Sequence, residues 1–282
     1  MSTARTTARA VALITVSALG LTACGLTKGD AEGPAPDDSG VTKITVGASP
    51  TPHAKILEYV DKELAADAGL DLEIKTFDDY VQPNVQLSEG TLDANYFQHL
   101  PYYEEQVEDR GYDFAHYEGI HIEPFALYAD SIDDIKDLPK GGTIGINNDP
   151  SNQGRALQLL ADHDVITLKD GVDATNATIL DVEDNPKDLE FKETDAAQLA
   201  RSLQDLDAAV INGNYAIEAD LSTKDALAVE DGKDSPYANF LAVQASNKDN
   251  AGLEKLDELL HSPEVKKYIE ETWPNGEVLP AF

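Results

Sequence analysis

Between Val41 and Thr76 the chain alternates, breaks and alternates again, and that rhythm restricts its fold more than any other feature. Ile44, Val46 and Ala48 share one face of an extended segment. Ser49-Pro50-Thr51-Pro52 then turns into a helix whose Ile56, Leu57, Val60 and Leu64 fall at i, i+1, i+4 and i+8, on one buried face. Gly69 stands where that helix must end. Leu72, Ile74 and Thr76 alternate again. Strand, helix and strand within about thirty-five residues make a right-handed βαβ unit, which requires a parallel sheet with helices on its faces.

The pattern continues. Pro83 to Leu87 reads as a short helix, and Leu92 to Ala94 as a strand that runs into Asn95-Tyr96-Phe97-Gln98-His99-Leu100-Pro101-Tyr102. Those rings are either ordinary core or a ligand wall, and the carboxyl end of a strand is where open α/β proteins hold ligands. A helix through Glu104 to Asp109 stops at Gly111. Pro124 to Ala129 is apolar without helical period and reads as a strand leaving the first lobe. A second series follows: a helix over Ile132 to Leu138 capped by Ser131, a strand over Thr143 to Ile146, and a turn from Asn147 to Asn152 that caps a helix over Gln153 to Ala161. Strands at Ala177 to Val182 and Leu189 to Lys192, a helix at Ala196 to Leu203 and a buried strand at Asp207 to Ile211 come next. Tyr237 to Val243 reads as a second crossing strand, and helices at Ala251 to His261 and Pro263 to Trp273 close the chain. The order is compatible with an α/β fold of the two-lobed, periplasmic-binding-protein plan (type II), with two crossing strands and a ligand cleft between lobes, although composition alone does not point to it. Lobe 1 is expected at residues 41–123 plus 242–282, and lobe 2 at 124–241.

Residues 1–23 read as a leader. Arg5 and Arg9 precede an apolar run, Val11 to Val16 with Leu19 and Leu21, too short for a permanent membrane helix. Leu21-Thr22-Ala23-Cys24 matches the lipobox of bacterial lipoproteins, in which the cysteine thiol takes a diacylglycerol and becomes the first residue after cleavage. Cys24 is the only cysteine of the chain, so no disulfide forms within it. Acyl chains contribute about 0.8 kcal/mol per buried methylene. A lipid anchor on the extracytoplasmic face of the cell membrane is therefore expected. Gly25 to Gly40, rich in Gly, Pro and Asp, makes residues 24–40 a flexible tether behind the anchor. Taking 23 residues from 282 leaves 259, and losing two arginines takes the formal charge from −32 to −34. Such a surface repels nucleic acid, which is excluded as a partner.

Five segments resemble, in order, those of the NlpA/MetQ lipoprotein family. They are Phe77 to Asn84, Asp93 to His99, Asn148 to Arg155, Ala209 to Ala216 and Ser235 to Asn239. The family often has Thr where this chain has Ser151 and Gly213. The resemblance implies the substrate-binding lipoprotein of a methionine ABC importer, with permease and ATPase subunits as partners. Its ligand would be L- or D-methionine. A methionine-containing dipeptide or another small amino acid is the alternative.

A free amino acid needs partners for a carboxylate, an ammonium and a side chain. The carboxylate is assigned to Arg155, placed in the first turn of the helix after Asp149-Pro150, where its planar fork can grip both oxygens. Asn148, Asn212 and Asn239 supply amides that serve charges of either sign, although turn chemistry alone also explains asparagine there. Tyr80, Phe97, His99 and Tyr102 form the side-chain pocket, where sulfur–aromatic contacts are worth about 0.3–1.5 kcal/mol each. No cofactor or metal is expected, because no second histidine lies at ligand spacing beside His99 and the other five are scattered. The weaker alternatives are a secreted α/β hydrolase and an adhesin-like lipoprotein. Without a Gly-x-Ser-x-Gly elbow, and with Cys24 committed to lipid, no enzyme is expected.

Overall fold

The computed structural model describes residues 33–282 apart from 174, 233 and 234, so the leader and Cys24 lie outside the described residues. β1 (Thr42–Ala48) and β2 (Leu70–Thr76) pair in parallel along their whole length. Between them runs α1 (Lys55–Val60), whose helical turns continue to Ala68 and end at Gly69 with φ 72°. This is the crossover that the alternation predicts. After α2 (Gln82–Ser88), β3 (Ala94–His99) lies on the other side of β1. All six of its residues are buried, so the aromatic stretch is itself the strand and does not follow one. His99 and Gly111 cap α3 (Leu100–Arg110).

β4 (Phe114–Ile122) is a nine-residue strand that the sequence pattern hides. Its pairing with a later strand shifts register around Gly119, and such a bulge destroys the period of two. The chain then leaves the first sheet and enters β5 (Ala126–Tyr128) of a second. That sheet continues with β6 (Thr143–Asn147), followed by α4 (Pro150–Asp162), a small ladder of β7 (Thr167–Leu168) with β8 (Val182–Asp184), and β9 (Glu190–Thr194). Then come α5 (Ala196–Ser202), β10 (Ala208–Ile211), α6 (Gly213–Glu218) and β11 (Ala228–Val229). β12 (Asn239–Gln244), α7 (Ala251–Leu260), α8 (Pro263–Thr272) and β13 (Leu279–Pro280) complete the first lobe. The strand orders are β13-β4-β12-β3-β1-β2 and β11-β5-β10-β6-β9.

In the first lobe Ile44, Val46, Leu57 and Val60 pack with Leu253, Leu256, Leu260 and Ile269 of α7 and α8. In the second, Ile144, Ile146 and Val210 pack against Leu157 and Leu160 of α4, while Leu199, Ala209 and Tyr215 fill the opposite face.

Several expected elements differ. The helix at Ile132 to Leu138 is one tight turn, Ile135–Asp137, capped by Asp134 and not by Ser131. The run from Ala177 is not a strand, because Asp181 Oδ2 accepts from the Thr178 N–H at 3.0 Å and hydroxyl at 2.8 Å and bends it into a turn. β12 belongs wholly to the first sheet, pairing with β3 and β4, so the return crossing precedes Asn239 where residue 242 was expected to start lobe 1. The end of the expected tether is also held. Asn250 Nδ2 donates to Pro34 O at 2.9 Å, Pro36 bridges to Thr42, and Asp37 Oδ1 accepts from Ser39 N at 2.8 Å. Asp and Ser close such turns locally, which composition alone does not reveal.

Candidate ligand-binding site

The strand ends of both lobes meet around one cavity with about 360 Å³ of empty space. From the first lobe come Phe97, Gln98 and His99 at the end of β3, Tyr102 in α3, Tyr80 ahead of α2, and Asn239 at the start of β12. The second lobe supplies Asn152 and Arg155 from α4 and Asn212, Gly213 and Asn214 from the start of α6. Glu123 enters from the crossing between β4 and β5.

Tyr80, Phe97, His99, Tyr102, Arg155, Asn212 and Asn239 thus come together as the sequence suggests. Asn148 does not. It is exposed, and its neighbour Asn147 is the buried one, with Nδ2 donating to Asn212 Oδ1 at 2.8 Å. Successive residues at a strand end face opposite ways, so an error of one position selects the wrong amide. Asn152 was missed, although it sits in a recognised segment three residues after the cap Asp149. Its Nδ2 donates to Asp149 Oδ1 at 2.8 Å, and its Oδ1 accepts from Asn212 Nδ2 at 3.1 Å.

His99 bridges the lobes. Its Nδ1 accepts from the Tyr102 N–H at 3.2 Å, which places the ring hydrogen on Nε2, 3.1 Å from Asn152 Oδ1. Burial, helped by the nearby Arg155 charge, lowers its pKa to about 3, so the ring is neutral. Three further bonds cross the cleft directly. The Tyr80 hydroxyl donates to Asn214 Oδ1, the Tyr215 hydroxyl donates to Asp78 O at 3.0 Å, and Ser151 N donates to Glu105 Oε2 at 3.0 Å. The Tyr80 ring lies 5.9 Å from Phe97, 5.8 Å from Tyr102 and 5.2 Å from Tyr215.

Arg155 differs from expectation in two ways. It is the sixth residue of α4 and so lies in the second turn, while first-turn N–H groups are taken by Glu105 and Asp149. Its fork is also partly occupied. Nε donates to Glu230 Oε1 at 3.0 Å, Nη2 donates to Glu230 Oε2, and Nη2 also reaches Glu123 O at 2.9 Å. The Phe125 and Tyr237 rings flank the guanidinium at 4.6 and 4.1 Å. Nη1 has no hydrogen-bond partner among the described residues. A second donor in the wall is likewise unpaired: Asn214 Nδ2 is buried without a partner.

Glu123 is the residue that sequence reasoning missed most plainly. Its Oε1 lies 2.9 Å from His121 Nε2 and 3.3 Å from His53 Nε2, and His53 Nε2 is also 3.0 Å from Asn239 Oδ1. The Tyr96 hydroxyl is hydrogen-bonded to His121 Nδ1. Burial pushes the His53 pKa down to about 4 and that of His121 to about 3, so both rings are neutral. Burial raises the Glu123 pKa, and the Arg155 charge and the Asn214 backbone N–H oppose that rise. The ligand-type atoms of His53, His121 and Glu123 all lie within 4.8 Å of one another, a cluster that their sequence spacing does not suggest. Gly213 approaches it closely, and a Cβ there would stand 2.6 Å from Glu123 Cβ.

Residues 44–282 match the sequence profile of the family described as NlpA lipoprotein. The methionine-binding lipoprotein MetQ of Bacillus subtilis is 39% identical over 273 residues, covering 95% of this chain and 96% of that protein. The D-methionine-binding lipoprotein MetQ of Escherichia coli is 39% identical over 245 residues, 86% of this chain and 90% of that one. Among solved structures, a nutrient binding protein from Burkholderia cenocepacia bound to methionine superposes with a TM-score of 0.81 at 45% identity, covering 85% of this chain and all of the other (100%). Fold, cleft and sequence agree: the chain belongs to the NlpA lipoprotein family.

Proposed function

We propose that this protein is the extracytoplasmic binding component of an ABC importer, capturing methionine between its lobes and presenting it to a membrane permease. The observation that carries the reading is an aromatic-walled cavity between the lobes holding buried groups of both signs, Arg155 and Glu123. A zwitterion suits such a site, because its ammonium meets the Glu123 carboxylate and its carboxylate meets the side of the Arg155 fork that Glu230 leaves open. Arg155 Nη1 takes the carboxylate, with Asn214 Nδ2 as a further donor, and Glu123 takes the ammonium. Tyr80, Phe97 and Tyr102 receive the side chain, and Asn212 and Asn239 orient the charged end. The names of the relatives, and the methionine in one of them, support methionine as the side chain served. Anchoring through Cys24, and the permease and ATPase partners, belong to the same reading.

Melting of refolded, ligand-free protein tests it. Binding adds RT ln(1 + [L]/Kd), about 2.7 kcal/mol at a hundredfold excess over Kd. L- or D-methionine is expected to raise the melting temperature and to be recovered unchanged. A protein indifferent to both enantiomers but stabilised by an unrelated solute would refute the assignment.

A further inference from the structure

Glu123 lines the cavity, but the groups that hold it do not. Tyr96 and His121 are wholly buried behind it. A neutral imidazole carries one N–H, so only two proton arrangements satisfy His121. In the first, the Tyr96 O–H donates to Nδ1 and the Nε2–H donates to Glu123 Oε1, a bond that is stronger to the charged carboxylate than to the neutral acid and so favours ionisation. In the second, Nδ1–H donates to the Tyr96 oxygen and Glu123, as a carboxylic acid, donates to Nε2. The second leaves the Tyr96 hydrogen without an acceptor, because among the described residues its hydroxyl has His121 as sole partner. An unmatched donor at a site sealed from water is costly. Burial by itself favours the neutral acid, so the hydroxyl opposes the tendency that desolvation creates. His53 acts in the same sense. Its Nε2 faces Asn239 Oδ1 and Glu123 Oε1, both oxygens, and so carries the hydrogen.

We propose that Tyr96 and His121 are positioning residues that keep Glu123 ionised, and that they thereby make the cavity select ligands bearing an ammonium group. This rests on the reading of Glu123 as the ammonium partner, and it adds a cause for that selectivity outside the cavity wall. A residue that merely filled space would, when altered, weaken every ligand alike.

The test compares two ligands by calorimetric titration of refolded, ligand-free protein: L-methionine, and methylthiobutyrate, in which hydrogen replaces the ammonium group. Wild type prefers methionine. Tyr96→Phe is expected to reduce that preference roughly tenfold or more while leaving the analogue's affinity within about a factor of two. His121→Leu should behave likewise, whereas His121→Gln, whose amide offers Glu123 a donor, should retain part of the preference. Glu123→Gln separates the two levels of the argument. If it abolishes the preference and Tyr96→Phe does not, the role of Tyr96 and His121 is refuted and the ammonium assignment stands. If Glu123→Gln leaves the preference intact, the ammonium assignment itself falls. Recovery of a stoichiometric divalent cation bound through His53, His121 and Glu123 would also overturn the proposal, since a metal would replace the proton on Nε2.

Discussion

Removing the Arg155 guanidinium should do more than weaken ligand binding, because the structure gives that group a second task. Arg155 and Glu230 pair with side chains only 5% and 17% exposed. Arg155→Ala strands the Glu230 carboxylate, orphans one bond to the Glu123 carbonyl and empties the space between Phe125 and Tyr237. Breaking one side of such a buried pair costs about 3–5 kcal/mol. In a domain of this size each kcal/mol shifts Tm by about 2–4 °C, so a fall of roughly 10 °C is expected. The same change removes the proposed carboxylate donor, and the Kd for methionine should rise about 10²- to 10³-fold. Glu230→Ala and the double variant separate the two effects. With both partners gone no carboxylate is stranded, so Arg155→Ala/Glu230→Ala should melt well above Arg155→Ala while binding no better. Melting curves and calorimetric titrations of the four proteins form one cycle. An Arg155→Ala protein that melts as wild type and binds within about threefold would refute both roles. A double variant that regains affinity would refute the carboxylate assignment alone.

Two further outcomes are expected. If Cys24 carries the lipid, Cys24→Ala should leave the protein in the soluble fraction after cells are washed and broken, and a variant that still sediments with membranes would point to another anchor. Acid should destabilise the ligand-free fold through its buried histidines. His53, His99 and His121 bind protons more weakly when folded, near about 4, 3 and 3, than at the ordinary 6.5. Stability is therefore fully present above about 6.5 and is lost as pH falls below it, since the unfolded chain takes up the extra protons. The raised Glu123 pKa acts in the opposite sense, making the folded state the better proton binder, but it is one group against three. Melting at about pH 7 and about pH 5 checks the sign, and a flat profile would show that these rings are not buried neutral.

What the sequence reveals follows the range of the interaction involved. The β1–α1–β2 crossover is legible because its apolar positions obey one period at a time. β4 is not, because its apolar residues change phase at Gly119 where the strand bulges against β12. Tyr80, Phe97, Tyr102 and Arg155 are legible through segments that resemble a known family. The partner of Arg155 is not, since Glu230 lies 75 residues away and nothing local links them. Likewise His53, His121 and Glu123 become neighbours only when the segment before α1, the end of β4 and the crossing fold together. Seven residues of the cavity wall were readable; Glu123 in that wall, and the groups behind it, were not.

Two of the direct bonds across the cleft divide affinity from discrimination. Tyr215 to Asp78 and Glu105 to Ser151 join residues that do not line the cavity, so they favour the shut form whatever is inside. A group that biases a two-state equilibrium without touching the occupant multiplies every apparent affinity by one common factor. Ratios between occupants are left to the residues that meet them. How tightly the protein holds its cargo, and therefore how readily it surrenders it, can drift through these two contacts while the choice of cargo stays fixed.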